Sequence, residues 1–542
     1  MNRWLAALTG LLLVTAGIYV QGLWTAGFVW DDLPLIVMND SLGHLETLPA
    51  LFTEDLWAAS GAGRVDSGYY RPLVLLSFSL DKALFGGAAL GYHLHSIAWH
   101  LLAVGLLFFL LRDIAGEAGA LAGATVFSLH PVQSECVAWI SARNDLMATS
   151  LGLFALVVLH QSGRSRVRFW LGVLLALGAV LSKESAILLP LLLLVLDGCR
   201  AREERSLRSY GALGLGLLLG LGLRALAGVG GAVLPTAQGW ALVAEHLVDW
   251  VGIMGASVVW PSSVTSARDL YWTDLEPDLR VWVGWAGLVL AGVLGMLSRG
   301  VQRRGVLGGL AWLVAGLGLT LVPLADKGGF GDRFWYMPLV GVAVMVAVST
   351  SRRLGPWLAV AVAVPALVVL SVRLPDWQDD AQMWAAAARD VPSPVNHVGL
   401  GHAMSRQDRL KRAHVAFAGA LTTDRLANDA CPRVVGSAVR MGYPAHGVRM
   451  GRWALRRGCP QSGELSGWMA TAQALTGDWA GVRATLAGSP PDPSGRDLVL
   501  AAALARRDGN QAEADRIVGG RPEIAVQVDR LLAEADSLPA TE

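Results

Sequence analysis

Apolar positions fall into long runs at roughly 5–24, 91–111, 118–134, 145–161, 169–183, 186–198, 209–227, 281–298, 305–324, 334–350 and 355–373. Most approach the ~20 residues that carry a helix across a bilayer. The pattern predicts an all-α, polytopic membrane protein of about eleven transmembrane helices. The fifth and sixth runs are short and share the interruption LSKES. The segment 240–260 is broken by Glu245, His246 and Asp249, and is expected to be re-entrant or to lie at the interface. The first run follows Arg3 and outlasts the 7–15-residue core of a signal peptide, so an uncleaved first helix is expected.

Short loops rich in Lys and Arg stay cytoplasmic. Arg112, then Arg164, Arg166 and Arg168, then Arg200, Arg202, Arg205 and Arg208 follow the second, fourth and sixth runs. Arg299, Arg303 and Arg304 follow the eighth, and Arg352 and Arg353 the tenth. This alternation predicts a cytoplasmic N-terminus and an extracytoplasmic C-terminal region. The opposite loops hold Asp31, Asp32, Tyr70, Arg71, His130, Glu135, Arg143, Asp145, Lys183, Glu184, Asp332, Arg333 and Tyr336. Ionisable groups beside a membrane are costly and usually functional, and here they gather on one face. The first outer loop, about 26–90, is long, and its stretches LPALFTEDLWA and RPLVLLSFSLDKALFG read as two short amphipathic helices.

From about 376 the chain turns Ala- and Arg-rich, with loop signals VPSPVN and GSPPDPSG. The domains expected are a transmembrane catalytic domain over 1–375 and an extracytoplasmic helical domain over 376–542. Leu400, Gly401, Ala413, Phe417 and Ala420 match the small and large positions of a 34-residue tetratricopeptide repeat. Later copies, around GDWAGVRATLAG and ARRDGNQAEADRIV, are degenerate. A plain helical bundle is the other reading.

Composition agrees with a membrane chain. Hydrophobic residues make up 54% and charged ones 16%, against the ~25% charged of a soluble domain. A net charge of +1 gives no reason to expect nucleic acid. The four cysteines show no metal-site spacing. Cys431 and Cys459 either pair, if their region is extracytoplasmic, or are two buried thiols.

Asp31 and Asp32 stand where the first run ends, in GFVWDDLPL. Adjacent carboxylates raise one another's pKa by repulsion, which brings one toward the working range of a general base. Asp31 is the expected base, with Asp32 tuning it or contacting acceptor or metal. Arg143, Lys183 and Arg333 lie on one face and suit a phosphate, Arg as a fork and Lys as a point charge. Asp145, Glu184 and Asp332 stand beside these cations, in functional or structural ion pairs. His93 and His100 share a helix face, and His95 points elsewhere. His130, Glu135 and Asp31 offer a divalent-metal ligand set, with packing histidines as the alternative; no metal is assigned. Tyr70 and Arg71 could orient the outer loop. Trp30 and Trp139 could stack on a bound ligand, although most of the 21 Trp suit the aromatic belt.

FVWDD, YYRPLVLLSFSLDKALFG, GYHLHSIAWH, LHPVQSECVAWISARNDL, LSKESAILLP and GDRFWYMPL occur in that order. In these stretches the chain resembles GT-C glycosyltransferases. It is most similar to the transmembrane and tetratricopeptide-repeat protein O-mannosyltransferases and their bacterial relatives, over about 30–425. The resemblance implies a bacterial inner-membrane enzyme that inverts the sugar linkage. It would move a sugar, by resemblance mannose, from a polyprenyl-phosphate donor to a hydroxyl of an acceptor protein, with the lipid bilayer as the third partner. An inactive membrane scaffold, whose repeats recruit an extracytoplasmic partner, is the alternative. A transporter would show inverted repeats with matched broken helices, and the sequence has none.

Overall fold

The structure, a computed structural model, describes residues 3–58, 67–160, 165–200, 206–229, 235–259, 268–269, 279–327, 329–422 and 428–537. It is all-α apart from a two-residue antiparallel pair, Arg268 opposite Phe330 and Asp269 opposite Gly329. The chain divides into two compact units, Met1–Met383 and Trp384–Glu542.

Among the described residues of the first unit, eight helices are long and apolar enough to cross a membrane. The eleven expected runs map onto them unevenly. Two runs, 91–111 and 118–134, share the 41-residue helix Ala89–Leu129, which is broken at Gly116 by a φ of 72°. Arg166–Ser182 has 17 residues and rises about 26 Å, short of a ~30 Å hydrocarbon core. Leu189–Cys199 and Leu339–Ser349 are shorter still, at 11 residues each. The helix Ala237–Val259 runs unbroken for 23 residues, so of the two readings of 240–260 the re-entrant one is corrected and the interfacial one is not. Its two ends both meet segments of the polar face. Gly239 packs on the Ala325 carbonyl, just before the Asp332–Trp335 turn, and the Val258 carbonyl accepts from His130 Nε2.

Small residues let these helices approach closely, as in membrane bundles generally. Gly309 and Gly341 each face the other's carbonyl, and Gly284 lies on the backbone of Gly252 and Ala256. The outer loop closes over its own apolar core. Leu35, Ile36, Leu42, Leu51 and Leu56 pack on Val74, Leu75 and Phe78 of the helix Pro72–Phe85, and on Tyr92, Ile140 and Met147. Of the two amphipathic helices expected in this loop, the second forms from Pro72, which suits a first helical position. The first is reduced to the single short turn Leu48–Leu51.

The first unit extends past the expected boundary at 375 because residues 378–380 bond back to the end of the first helix. Gly27 N–H donates to the Gln378 carbonyl at 2.8 Å, and Trp30 N–H to Asp380 Oδ1 at 2.9 Å.

The second unit is a series of helical hairpins. Pro394–Arg406 pairs with Leu410–Ala420, Ala430–Arg440 with Pro444–Arg456, Gly463–Leu475 with Trp479–Ala487, and Arg496–Arg507 with Gln511–Val518. The first pair is antiparallel, with Gly401 against the Phe417 ring and Gly419 against His397. A side chain at Gly401 would overlap that ring, which is why the small and large positions recur together. Cys431 and Cys459 form a disulfide.

Candidate active site

The first helix ends at Leu23, and a tight turn follows. Trp30 adopts a φ of 52°, a conformation that non-glycine residues rarely take and that tends to mark functional sites. This turn delivers the two carboxylates into different surroundings. Asp31 is half-buried, whereas Asp32 is fully buried. One Asp32 oxygen accepts from the Ser141 N–H at 2.7 Å and the Ser141 hydroxyl at 2.5 Å; the other accepts from the Val29 N–H at 3.1 Å.

Burial pushes Asp32 up from 3.8 to about 7, against the pull of the Ser141 and Val29 hydrogen bonds. The charge of Asp31 adds to the rise, but it is the smallest of these causes. Sequence reasoning credited the shift to repulsion between neighbours. Loss of water around Asp32 is the larger effect, and adjacency in the chain does not reveal it.

Arg333 sits beside this turn. The Trp30 and Trp139 rings stack at 4.7 Å and 11°. The Arg333 guanidinium lies 5.5 Å from the Trp30 ring, 5.2 Å from Trp139 and 5.0 Å from Phe334. Its Nη1 donates to Glu135 Oε1 at 2.6 Å, and its backbone N–H to Oε2 at 2.9 Å. Burial raises the Glu135 pKa against the opposing pull of Arg333. Burial works against the Arg333 charge, yet Glu135 outweighs it and Asp31 adds to the support, so the guanidinium is held firmly protonated. Asp332, the neighbouring acid, is buried.

Lys183 also approaches Phe334, with Nζ 5.8 Å from the ring. Both Asp145 oxygens accept from Nζ at 2.6 Å. Next in the chain, Glu184 accepts from Arg71 at 3.0 Å and lies 3.6 Å from Arg224. Burial opposes ionisation of Glu184, but the charge and hydrogen bonds of Arg71 prevail and lower its pKa. Arg71 rests over the Tyr69 ring at 4.5 Å. Arg224, which the sequence reading passed over, also donates to the Gly68 carbonyl at 2.6 Å. Its only signal was a lone cation in the last turn of an apolar helix.

Asp31, Glu135, Arg333, Lys183 and Asp145 thus gather around the Trp30, Trp139 and Phe334 rings. Other expected site residues are engaged elsewhere. Arg143 is fully buried and donates to Asp81 at 2.5 Å, to Ser96 and Ser77 hydroxyls at 3.1 and 3.2 Å, and to the Tyr92 carbonyl at 2.8 Å. Asp81 also accepts from His95 Nδ1 at 2.7 Å; the Trp99 indole donates to Nε2, which leaves the ring proton on Nδ1. This geometry corrects the reading of Arg143 as an open phosphate ligand, because its forked donors already serve the protein interior. His93 is buried. Tyr70 donates to the Phe52 carbonyl, and Tyr336 to His100 Nδ1, each at 2.8 Å.

The divalent-metal set considered from sequence does not assemble. His130 Nδ1 accepts from the Val132 N–H and Nε2 donates to the Val258 carbonyl, while Glu135 is held by Arg333. Among the described residues, no three His, Cys, Asp or Glu side chains group to hold a metal ion.

These polar groups lie at the ends of apolar helices. Residues 71–227 match the family described as dolichyl-phosphate-mannose-protein mannosyltransferase. The chain is 34% identical over 186 residues to "Protein O-mannosyl-transferase Tmtc1" of Drosophila melanogaster, covering 34% of this chain and 22% of that one. It is 32% identical over 185 residues to "Protein O-mannosyl-transferase Tmtc2" of the same organism, covering 32% and 20%. "Protein O-mannosyl-transferase TMTC4" of Homo sapiens is 29% identical over 184 residues, covering 30% and 25%. The chain spans about a quarter or less of the length of these curated relatives. No solved structure matches. The chain therefore resembles GT-C glycosyltransferases of the transmembrane, tetratricopeptide-repeat O-mannosyltransferase type.

Proposed function

We propose that this chain transfers mannose from a polyprenyl-phosphate donor to a protein hydroxyl on the extracytoplasmic face of a bacterial inner membrane. The observation that carries the reading is the convergence of Arg333 and Lys183 on Phe334, with Arg333 also beside the Trp30–Trp139 stack and within electrostatic reach of Asp31. Asp31 takes the proton of the acceptor hydroxyl as its oxygen attacks the anomeric carbon. The bond from that carbon to the phosphate oxygen breaks, and the sugar inverts. The departing polyprenyl phosphate gains negative charge, which Arg333 and Lys183 stabilise. Glu135 and Asp145 hold those cations in place. Asp32 fixes the Asp31 turn to Ser141. Arg143 contributes indirectly, by ordering Asp81 and, through the Tyr92 carbonyl, the first turn of the helix Ala89–Leu129.

The alternating basic loops support an extracytoplasmic second unit, and the Cys431–Cys459 bond suits an oxidising compartment. The hairpins start at Pro394, Ala430, Gly463 and Arg496, near the 34-residue spacing of tetratricopeptide repeats. They present a docking surface for the acceptor protein in this reading.

The test is a transfer assay in membranes that contain the chain, with radiolabelled polyprenyl-phosphate mannose. Alkali-labile label on protein is expected, whereas a nucleotide-linked mannose alone should give none. Label that comes only from the nucleotide sugar would refute the lipid donor.

A further inference from the structure

The turn that carries Asp31 is not held by its own helix alone. Its far anchor is the segment Gln378–Asp380, some 350 residues away in sequence. Gln378 Nε2 donates to the Gly22 carbonyl at 2.6 Å, and Gln378 Oε1 accepts from the Thr25 hydroxyl at 2.6 Å. The Gln378 carbonyl accepts from the Gly27 N–H at 2.8 Å. Asp380 Oδ1 then accepts from the Trp30 N–H at 2.9 Å, and Asp380 is itself buried. These bonds fall at successive points from Gly22 to Trp30, so they grip the whole turn.

The last of them meets the strained position. Trp30 sits at a φ of 52°, which a bulky side chain resists and which persists only where the surroundings over-determine it. A carboxylate on that residue's N–H is a charge-assisted bond, stronger than a neutral one. Trp30 precedes Asp31, and its ring forms the stack over which Arg333 lies. Release of the Trp30 backbone would therefore move the base and the aromatic platform together.

We infer that Asp380, supported by Gln378, is a positioning residue for the transfer reaction: it holds Trp30 in its left-handed conformation and so aims Asp31. The inference rests on the reading of Asp31 as the base. Asp380 acts through the backbone of Trp30 and needs only an acceptor oxygen to do so. Asn at this position keeps that oxygen, and Ala does not.

The experiment compares the full chain with Asp380→Ala and Asp380→Asn in nanodiscs, by two readouts. Amide hydrogen exchange at Trp30 should quicken about 10- to 100-fold in Asp380→Ala, the loss expected for one bond to a charged group, and clearly less, about 3- to 10-fold, in Asp380→Asn, which keeps the acceptor oxygen but not the charge. With polyprenyl-phosphate mannose, kcat should fall about 10- to 100-fold in Asp380→Ala while the donor KM stays within about twofold, because misplacement of a base costs rate rather than donor binding. Asp380→Asn should recover most of the rate. Unchanged exchange at Trp30 in Asp380→Ala would overturn the clamp. Faster exchange with a wild-type kcat would overturn its role in positioning. Equal loss in Asn and Ala would show that the charge, and not the acceptor oxygen, matters, and would also overturn it. Exchange reports on the clamp without reference to mannose. A quickened Trp30 amide together with full transfer by Asp31→Asn would thus sink the base assignment, and the inference with it, while leaving the clamp itself standing.

Discussion

Ser141 gives both its backbone N–H, at 2.7 Å, and its hydroxyl, at 2.5 Å, to one carboxylate oxygen of Asp32. The bond ties the turn after the first helix to the turn before Arg143, 109 residues on. It also puts the two neighbouring carboxylates in different surroundings. Asp32 is spent on structure in a dry site, and Asp31 beside it keeps partial access to solvent.

The titration of Asp32 should be visible in stability. Its folded pKa lies at about 7, raised from 3.8, so the folded state binds the proton more tightly than the unfolded chain does. The stability this supplies is complete below about pH 4 and is lost as pH rises through 7. In detergent, the wild-type melting temperature should therefore fall between pH 5 and pH 8. Asp32→Asn cannot titrate and should flatten that decline. An identical slope in both proteins would place the buried proton elsewhere.

Arg143 makes the opposite case, a cation whose removal should damage the fold. Arg143→Ala leaves Asp81 buried without its charge partner, a loss typically worth about 3–5 kcal/mol. The double variant Arg143→Met with Asp81→Leu removes both charges and should recover much of that stability. Chemical denaturation in detergent would measure both. A stable Arg143→Ala protein with a weakened donor KM would restore Arg143 to the phosphate site.

Gly331 should be intolerant for a reason that lies in space rather than in backbone freedom. A Cβ there would collide with Arg333 Nη1 and with both Glu135 oxygens. Gly331→Ala should displace Arg333 and raise the donor KM about 10-fold or more, the cost of a lost bond to a charged group. Arg333→Ala should behave the same way, and kinetics with varied donor would compare the two. Normal donor affinity in Gly331→Ala would argue that Arg333 does not meet the phosphate.

Much of this site was legible because the chemistry sits at the ends of apolar runs. Asp31, Lys183 and Arg333 could be assigned to one face from loop alternation alone, and the all-α membrane class follows from run lengths. What stayed hidden depends on burial and on distant contacts. Arg143 looks like any loop cation until Asp81, 62 residues before it, is seen to neutralise it. Asp380 gave no local signal, because its partner is a backbone N–H far back in the chain. His130 suggested a metal ligand, but two backbone groups use its nitrogens, and no spacing rule foretells that. The polar residues Glu245, His246 and Asp249 suggested a re-entrant break in 240–260, and the unbroken helix Ala237–Val259 removes that half of the reading.

The central claim is that Asp31 is the base, and the most direct measurement is the single-turnover transfer rate of Asp31→Asn with donor bound. Asn keeps the size and hydrogen bonding of Asp but cannot accept the proton. The account predicts a rate about 10²- to 10⁴-fold below wild type, with donor affinity preserved because Arg333 and Lys183 stand on other segments. A folded, donor-binding Asp31→Asn protein that transfers mannose at near the wild-type rate would contradict it.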